Sequence, residues 1–261
     1  MASPQNMHRT LITLATFNEV ENLPLLVEEI LRFAPDVDIL VIDDNSPDGT
    51  GKWCEEAAAG EPRLRVLHRT GKLGLGTATL AGMRHAIDQG YEWVLNMDAD
   101  FSHHPRHLPA LLACRDESGE GRAVDVMIGS RYVPGGRIEG WGWKRHFMSR
   151  AVNLASRVLL GLKTRDCSGS YRCYRTRLLA DLDFGAIRSR GYSFQEEILY
   201  CLARQGAKIE ETPITFADRE RGQSKINSGE ALNAGRILLL LGIGRCCRST
   251  AAHTNHSAGS G

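Results

Sequence analysis

The clearest candidates for chemistry in this chain are two carboxylates one residue apart, Asp98 and Asp100, in the sequence NMDAD at residues 96–100. In an extended segment, residues i and i+2 project to the same side, so these carboxylates would converge. A divalent cation such as Mg²⁺ or Mn²⁺ relieves their repulsion and usually also binds substrate phosphates. The alternative is a polar turn before the helix expected near Pro105. The position of the pair, directly after a predicted strand, favours a metal site.

A second acidic segment has the sequence VIDDNSPDGT at residues 41–50, with adjacent carboxylates at Asp43 and Asp44. Acidic side chains at the carboxyl end of a strand can accept hydrogen bonds from a ribose or a base. They can also cap the following helix, which stabilises it by about 1 kcal/mol. Capping alone would account for Ser46 and Asp48, whereas the adjacent pair favours a nucleotide site.

A glycine-rich segment, KLGLG at residues 72–76, precedes a predicted helix, and the free N–H groups at a helix start favour anions. Lys72 and Gly74 are therefore candidates for binding a phosphorylated ligand. The segment matches neither a Walker A loop nor a GxGxxG fingerprint. The first predicted strand is followed by TFNE at residues 16–19, which contains no glycine. A Rossmann dehydrogenase is therefore disfavoured.

The charge of the chain is unevenly distributed. The whole chain has 32 Lys and Arg against 31 Asp and Glu, a formal charge of +1. Residues 131–177 contain 11 Lys and Arg but only two acids, Glu139 and Asp166; this segment carries +9 and leaves −8 for the remainder. A basic segment that also contains Ser149 suits a phosphate ligand. Nucleic acid is the competing ligand, but no stacking surface or recognition module accompanies the basic segment. We therefore expect no nucleic-acid partner.

Two further polar segments follow in the last third of the chain. The sequence FQEE at residues 194–197 opens a predicted helix, where acidic residues can simply complement the helix dipole. The sequence DRERGQSK at residues 218–225 follows a predicted strand and could fold over a bound diphosphate. Arg219 and Lys225 would then neutralise its charge.

The elements that must position these residues alternate between strands and helices. Short apolar runs predict strands at 10–15, 39–42, 64–67, 93–97 and 124–128. Apolar residues at three- and four-residue spacing predict helices at 23–33, 50–59, 76–89 and 106–116. Such alternation predicts an α/β fold with a mostly parallel central sheet flanked by helices. Ligands of such sheets bind beyond the carboxyl ends of the strands, where these polar segments fall.

The later part of the chain is less regular. It predicts a surface loop at 131–144, helices at 147–162 and 194–205, and a strand at 209–216. We expect a flexible N-terminus at 1–9, one catalytic domain at 10–227, an amphipathic helix at 228–245 and a disordered tail at 246–261.

The composition excludes a disordered chain, a collagenous repeat and a secreted cysteine-rich scaffold. The 261 residues are 42% hydrophobic and 24% charged, as expected for an ordinary globular chain. The seven cysteines are odd in number, irregularly spaced and form no CxxC pair, so no zinc site is predicted. No signal peptide is recognisable, and the longest apolar run, residues 237–243, is too short to span a bilayer. A cytoplasmic protein is therefore expected.

Taken together and in this order, the motifs resemble the family 2 glycosyltransferases of GT-A (Rossmann-like) fold, and among them the polyprenyl- or dolichyl-phosphate mannosyltransferases. The resemblance covers residues 10–227. Its most specific parts are VIDDNSPDGT, the glycine segment after Lys72, DAD, GSRYVPGG at residues 129–136 and DRERGQSK.

The resemblance implies GDP-mannose as donor and a polyprenyl phosphate as acceptor. It assigns one group of residues to the nucleotide donor: Thr16, Glu19, Asp43, Asp44, Lys72 and Gly74, with Arg219 and Lys225 on its diphosphate. It assigns the metal to Asp98 and Asp100, with Ser102 where the family often has Gln. It assigns the acceptor phosphate to Arg131, Arg145 and Ser149.

The implied chemistry fits these residue types. An acceptor phosphate is largely ionised at neutral pH, so catalysis requires positioning and charge neutralisation more than a strong base. Attack opposite the leaving group would invert the anomer and give a β-linked mannosyl lipid. The alternatives are another nucleotide-sugar or a glycan acceptor, a nucleotidyltransferase, or a non-catalytic sugar-nucleotide binding protein.

A lipid acceptor implies contact with a membrane. Some members of the family continue into transmembrane helices, and others use small membrane subunits. In this chain the segment at 228–245 could lie in the membrane interface or pack against the core. We therefore expect peripheral association with the cytoplasmic face of a membrane.

Overall fold

The computed structural model describes residues 9–115, 124–189, 191 and 193–218. Within these ranges the first half of the chain alternates strands and helices, as the apolar spacing predicts. The elements in this half are β1 (Thr10–Thr16), α1 (Leu23–Phe33), β2 (Asp38–Asp43), α2 (Thr50–Gly60), β3 (Leu64–His68), α3 (Leu75–Asp88), β4 (Trp93–Asp98), α4 (Leu108–Leu112) and β5 (Val126–Ser130). All five predicted strands are confirmed to within two residues at each end.

The second half adds shorter strands around a long helix. Its elements are β6 (Arg137–Glu139), α5 (Trp143–Leu160), β7 (Arg172–Arg175), α6 (Thr176–Ala180), α7 (Phe194–Arg204), β8 (Ile209–Pro213) and β9 (Thr215–Ala217). Seven strands form the central sheet in the order β3-β2-β1-β4-β7-β5-β8, and β6 pairs with β9 in a separate two-stranded sheet. Strand β7 runs antiparallel to both of its neighbours, while the other pairs of the central sheet are parallel.

The central strands are buried on both faces, which is why they are almost continuously apolar. In β1, Ile12 and Leu14 pack on one face with α1 and α4, while Leu11 packs on the other face with α3 and α7. This two-sided burial fixes the strand ends relative to one another. The α/β prediction of a mostly parallel sheet between helices is confirmed.

Several predicted boundaries differ from the structure for reasons of backbone chemistry. The helix expected at 106–116 is broken into short 3₁₀ turns around α4; Pro105 begins the first turn, and Pro109 is the second residue of α4. The strand expected at 209–216 is two strands, because Pro213 ends β8 and β9 joins the second sheet. Helix α5 begins four residues before the predicted start, and β6 lies within the predicted loop 131–144.

No helix among the described residues is long and apolar enough to cross a membrane. The segments predicted as a flexible N-terminus (apart from Arg9), an amphipathic helix at 228–245 and a disordered tail at 246–261 lie outside the described ranges.

Close packing of α3 on the sheet depends on Gly82. A Cβ atom added there would lie 2.8 Å from Cγ2 of Thr13 and 2.9 Å from Cδ1 of Ile42. We expect Gly82→Ala to lower the free energy of unfolding by about 1–3 kcal/mol, because the buried strands cannot easily move away. The matched control is Gly60→Ala, at a position with no atom within 4 Å of an added Cβ. Urea unfolding of both variants measures the effect, and equal midpoints would contradict the prediction.

Candidate active site

The polar ends of three adjacent strands meet at one edge of the sheet. In the parallel registers, Thr16 of β1 pairs with Asp43 of β2, and Ala15 pairs with Asp98 of β4. In the described part of the chain, all the non-glycine residues with positive φ lie in the loops after these strands: Asn18, Asn45 and Phe101. Such backbone conformations cost energy and cluster at functional sites. The edge is therefore the candidate active site.

Asp43 organises the loops after β1 and β2. Its carboxylate accepts hydrogen bonds from the backbone and hydroxyl of Ser46, and the Ser46 hydroxyl in turn accepts the backbone N–H of Asn18 at 3.0 Å. Thr16 donates its hydroxyl towards the same carboxylate at 3.5 Å. Asp43, a candidate for binding the nucleotide donor, therefore shapes the wall of the site in addition to carrying a negative charge there.

Asp48 and Thr50 join the same two loops further out. The Asp48 carboxylate accepts the backbone N–H of Val20 at 3.1 Å, and the Thr50 hydroxyl accepts that of Glu19 at 3.0 Å. Burial acts to raise the pKa of Asp48, but hydrogen bonds from Thr50 and Val20 outweigh it, and the pKa is lowered. Asp48 is thus a structural residue, in line with the capping alternative, and Glu19 is held at the site.

Asp44 links the acidic end of β2 to the start of α3. It forms a 2.7 Å ion pair with Arg69, whose other nitrogen donates to Thr77 at 2.6 Å. Burial raises the pKa of Asp44 more than Arg69 lowers it. Lys72 lies 4.1 Å over the ring of Phe17, which brings the glycine-rich segment against the loop after β1. Gly74 has φ +98°, a conformation that favours glycine at the start of α3.

Asp98 and Asp100 each accept a hydrogen bond in the candidate metal site. Asp98 accepts the Ser170 hydroxyl at 2.9 Å, and Asp100 accepts the backbone N–H of Ser102 at 3.0 Å. Within the described ranges, no group of three or more His, Cys, Asp or Glu is placed to hold a metal ion. Two carboxylates and a hydroxyl nevertheless fit Mg²⁺ or Mn²⁺, which commonly takes its remaining ligands from phosphates and water. Ser102 holds this turn by its backbone, since its carbonyl accepts the N–H of Ala217.

His103 lies between the acidic and basic parts of the site. Its Nδ1 accepts the backbone N–H of Asp98 at 3.1 Å, and its ring stacks on Tyr171 with centroids 4.8 Å apart. Burial lowers the pKa of His103 despite the neighbouring carboxylates, which agrees with a neutral, accepting imidazole. The charges of Asp98, Asp100, Arg131 and Asp166 all act on this ring. Sequence reasoning assigns His103 no role, because a lone histidine carries no positional signal.

Arg131 forms a bidentate, buried ion pair with Asp166. Its Nε and Nη2 donate to the two carboxylate oxygens at 2.7 Å each, and Nη2 also donates to Ser168 at 2.9 Å. The Asp166 side chain is fully buried and further accepts the backbone N–H groups of Arg131 and Gly169. Although burial opposes it, Arg131 keeps the pKa of Asp166 lowered.

The ion pair changes the expectation for Arg131. Two of its guanidinium nitrogens are committed to Asp166, and none of its hydrogen bonds in the described part of the chain involves Nη1. Aromatic rings of Tyr132, Trp141 and Phe216 lie 5.4–5.6 Å from the guanidinium carbon. Arg131 therefore cannot close on a phosphate with its whole fork; it presents one edge from a fixed position.

Arg145 and Ser149 project from α5 towards the same cluster. Arg145 lies 4.1 Å over the ring of Trp141 and pairs with Asp218 at 2.7 Å. Ser149 accepts the hydroxyl of Tyr132 at 2.7 Å. The acceptor candidates are thus connected through two aromatic residues, Tyr132 and Trp141, that the charge pattern does not reveal. Arg219 and Lys225 lie outside the described residues.

A mostly parallel sheet with an Asp-x-Asp pair after a central strand is typical of glycosyltransferases of GT-A fold. The chain belongs to glycosyl transferase family 2, whose profile matches residues 12–183. It is 45% identical to the undecaprenyl-phosphate mannosyltransferase of Micrococcus luteus over 85% of this chain and 88% of that protein. It is 43% identical to the polyprenol monophosphomannose synthase of Mycolicibacterium smegmatis over 89% and 86%.

Solved structures of the same fold are more distant in sequence. Glucosyl-3-phosphoglycerate synthase from Mycobacterium tuberculosis, in complex with Mn²⁺, uridine-diphosphate and phosphoglyceric acid, superposes with a TM-score of 0.63. The two chains share 21% identity, and the match covers 91% of this chain and 79% of that one. A complex of the same enzyme with phosphoglyceric acid gives a TM-score of 0.61 at 20% identity, covering 92% and 80%. These likenesses establish the GT-A fold.

Removing the charge of Asp166 should destabilise the protein strongly. Asp166→Asn leaves Arg131 largely buried without a counter-charge, and we expect the free energy of unfolding to fall by about 3–5 kcal/mol. Asp183→Asn, at an exposed carboxylate, is the control. A combined Arg131→Met and Asp166→Asn variant should recover part of the lost stability, because it leaves no buried charge unpaired and keeps an amide oxygen as acceptor for a backbone N–H. Urea unfolding provides the measurement, and an unchanged midpoint for Asp166→Asn would refute the assignment.

Glu196 should make folding less favourable as pH rises. It is 3% exposed, its Oε2 has no hydrogen-bond partner among the described residues, and burial raises its pKa from 4.5 to about 7. Between these values the folded state retains a proton that the unfolded state loses, so stability falls as pH rises through this window. Glu196→Gln should therefore be more stable than the parent at pH 8, by on the order of 3 kcal/mol, with the difference vanishing at pH 4.

The control for this pH effect is Glu28→Gln, which alters an exposed carboxylate on α1. Thermal melts at pH 4 and pH 8 compare the three proteins. A difference between Glu196→Gln and the parent that is the same at both values would contradict the raised pKa.

Proposed function

We propose that this protein transfers mannose from GDP-mannose to a polyprenyl (dolichyl) phosphate and releases a β-linked mannosyl phosphate lipid. The observation that carries the proposal is the 43–45% identity to two named polyprenyl-phosphate mannose transferases over 85–89% of this chain. A match of that length spans both the acidic and the basic parts of the site. The divided site supports the same reaction, because a donor diphosphate and an acceptor phosphate must be bound close together.

The donor would bind over the ends of β1, β2 and β4. In this proposal Thr16, Glu19, Asp43 and Asp44 contact the nucleoside, whose hydroxyl and amino groups are donors suited to carboxylates. Lys72 and the backbone at Gly74 would contact the diphosphate at the start of α3. Arg219 and Lys225 are proposed to complete this contact.

A divalent cation would be held by Asp98 and Asp100, with Ser102 positioning their turn. Mg²⁺ or Mn²⁺ bound there would neutralise the negative charge of the departing diphosphate. Mn²⁺ and a nucleoside diphosphate are bound together in the M. tuberculosis enzyme of the same fold, which supports a cation in this role.

The acceptor phosphate would bind on the basic side, to Nη1 of Arg131, to Arg145 and to the hydroxyl of Ser149. One phosphate oxygen attacks the anomeric carbon, the bond from that carbon to the donor diphosphate breaks, and the electron pair leaves with GDP. Because the acceptor oxygen is already ionised, no proton has to be removed. The Arg131–Asp166 pair contributes by fixing the nucleophile in line with the leaving group.

We further propose that the protein acts at the cytoplasmic face of a membrane, as a peripheral protein or with a small membrane-anchoring subunit. The proposed acceptor supports contact with a membrane surface, because its polyprenyl chain stays in the lipid phase while its phosphate lies at the surface.

One assay tests the proposed substrates. The protein is incubated with radiolabelled GDP-mannose, UDP-glucose or UDP-GlcNAc, with Mg²⁺ or Mn²⁺, and with either a polyprenyl phosphate or 3-phosphoglycerate. Of the three donors, we expect only GDP-mannose to give labelled lipid. EDTA should abolish this transfer, and added Mg²⁺ or Mn²⁺ should restore it. Label from another donor, or transfer only to 3-phosphoglycerate, would overturn the proposed donor or acceptor.

Substitutions of the carboxylate pair test the proposed metal site. Asp98→Asn and Asp100→Asn should each lower kcat by about 10²- to 10³-fold, as expected when a group neutralising transition-state charge is lost. Asp88→Asn, at an exposed position on α3, is the matched control and should retain parental activity. Equal mannosyl transfer by Asp100→Asn and the control would exclude the assigned role.

A further inference from the structure

Helix α5 carries an exposed apolar stripe on its outward face. Trp143, Phe147, Leu154 and Val158 are 75%, 70%, 59% and 72% exposed, and Ala151 is also exposed. At about 100° per residue, these five positions lie within an arc of about 80°. Single exposed apolar residues are ordinary on a protein surface, but a continuous stripe along a helix marks a binding surface.

The residues beside this stripe are cationic. Lys144, Arg150 and Arg157 are exposed on α5, and the helix contains no acidic residue. The sequence from residue 140 to residue 165 likewise contains six Lys and Arg and no Asp or Glu. The face therefore combines apolar side chains with uncompensated positive charge, the composition of helices that lie in an anionic lipid interface.

The inward face of the same helix holds the acceptor side of the site. Ser149 accepts from Tyr132, and Asn153 donates to Ser168 at 3.3 Å while its carbonyl oxygen accepts the backbone N–H of Cys167 at 2.6 Å. Ser168 in turn accepts from Arg131. Because one helix presents both faces, a surface bound to the outer face would lie next to the proposed phosphate site.

We propose that the outward face of α5 docks on the surface of an anionic phospholipid bilayer. The inference rests on the proposed function, since it names the surface from which the acceptor lipid would reach Arg131 and Ser149. A second copy of the chain is a poorer occupant, because a two-fold contact would place Lys144, Arg150 and Arg157 against the same cations without an acid to neutralise them. Anionic headgroups supply the missing charge, and the stripe enters the acyl boundary.

Vesicle flotation of the full chain tests the docking surface. Vesicles of phosphatidylcholine containing phosphatidylglycerol are compared with vesicles of phosphatidylcholine alone. The stripe variant combines Phe147→Ser and Val158→Ser; a charge variant combines Arg150→Glu and Arg157→Glu. The matched control is Leu25→Ser, which removes an exposed leucine (55% exposed) from α1. We expect the parent and the control to float with anionic vesicles and both α5 variants to bind about tenfold less.

Melting temperatures and oligomeric state separate the other occupants of this face. A stripe variant that floats like the parent overturns the proposal. If its melting temperature also falls, the result indicates that another part of the chain covers this face. A parental dimer that the stripe variant converts to monomer, with flotation retained, would assign the face to a second copy.

Activity distinguishes failure of this inference from failure of the proposed function. With a short, water-soluble polyprenyl phosphate the stripe variant should retain parental turnover, whereas with a long acceptor in anionic vesicles it should lose about tenfold. If the parent forms mannosyl lipid neither from the short soluble acceptor nor from the long acceptor in vesicles, the proposed function itself is refuted. Equal turnover by the parent and the stripe variant on vesicles would refute only the docking surface.

Discussion

The buried pairing of Arg131 with Asp166 constrains the basic half of the site, because a guanidinium and a carboxylate can leave water together only if their hydrogen bonds are satisfied. Asp166 achieves this with four hydrogen bonds, two from the guanidinium and two from backbone N–H groups. Glu211 of β8 holds the backbone of Asp166 in addition. Asp166 therefore connects the loop before β7, the end of β5 and strand β8. These contacts hold the Arg131 guanidinium in a fixed position, with Nη1 outside the ion pair.

The near-zero net charge of the chain conceals two opposed clusters that this frame holds side by side. Carboxylates occupy the ends of β2 and β4, whereas the basic residues follow β5 and line α5. The neutral ring of His103 lies between them, packed on Tyr171 and edge-on to Phe216. This uncharged, buried ring separates the carboxylates of Asp98 and Asp100 from the Arg131–Asp166 pair.

Helix α5 carries the connection from this frame to the outside. Its buried residues, Asn153, Ser156 and Leu160, attach it to the body of the protein, and its opposite face is apolar and cationic. A helix that is polar where it meets the protein and apolar where it meets solvent is the reverse of the usual globular pattern. The inversion agrees with what each face is proposed to contact: an acceptor-phosphate site on one side and a lipid surface on the other.

The sequence alone determined the alternation of elements and the acidic edge of the site. Apolar periodicity is local, and parallel strands necessarily bring the segments after Thr16, Asp43 and Asp98 to one edge. Only the tertiary structure decided that β7 inserts antiparallel between β4 and β5, bringing Ser170 to Asp98 and Asp166 to Arg131. These partners are 72 and 35 residues apart, and no short-range pattern encodes which buried charge neutralises which. The sequence showed how charge is distributed along the chain, and the fold determined which of those charges stay available to a ligand.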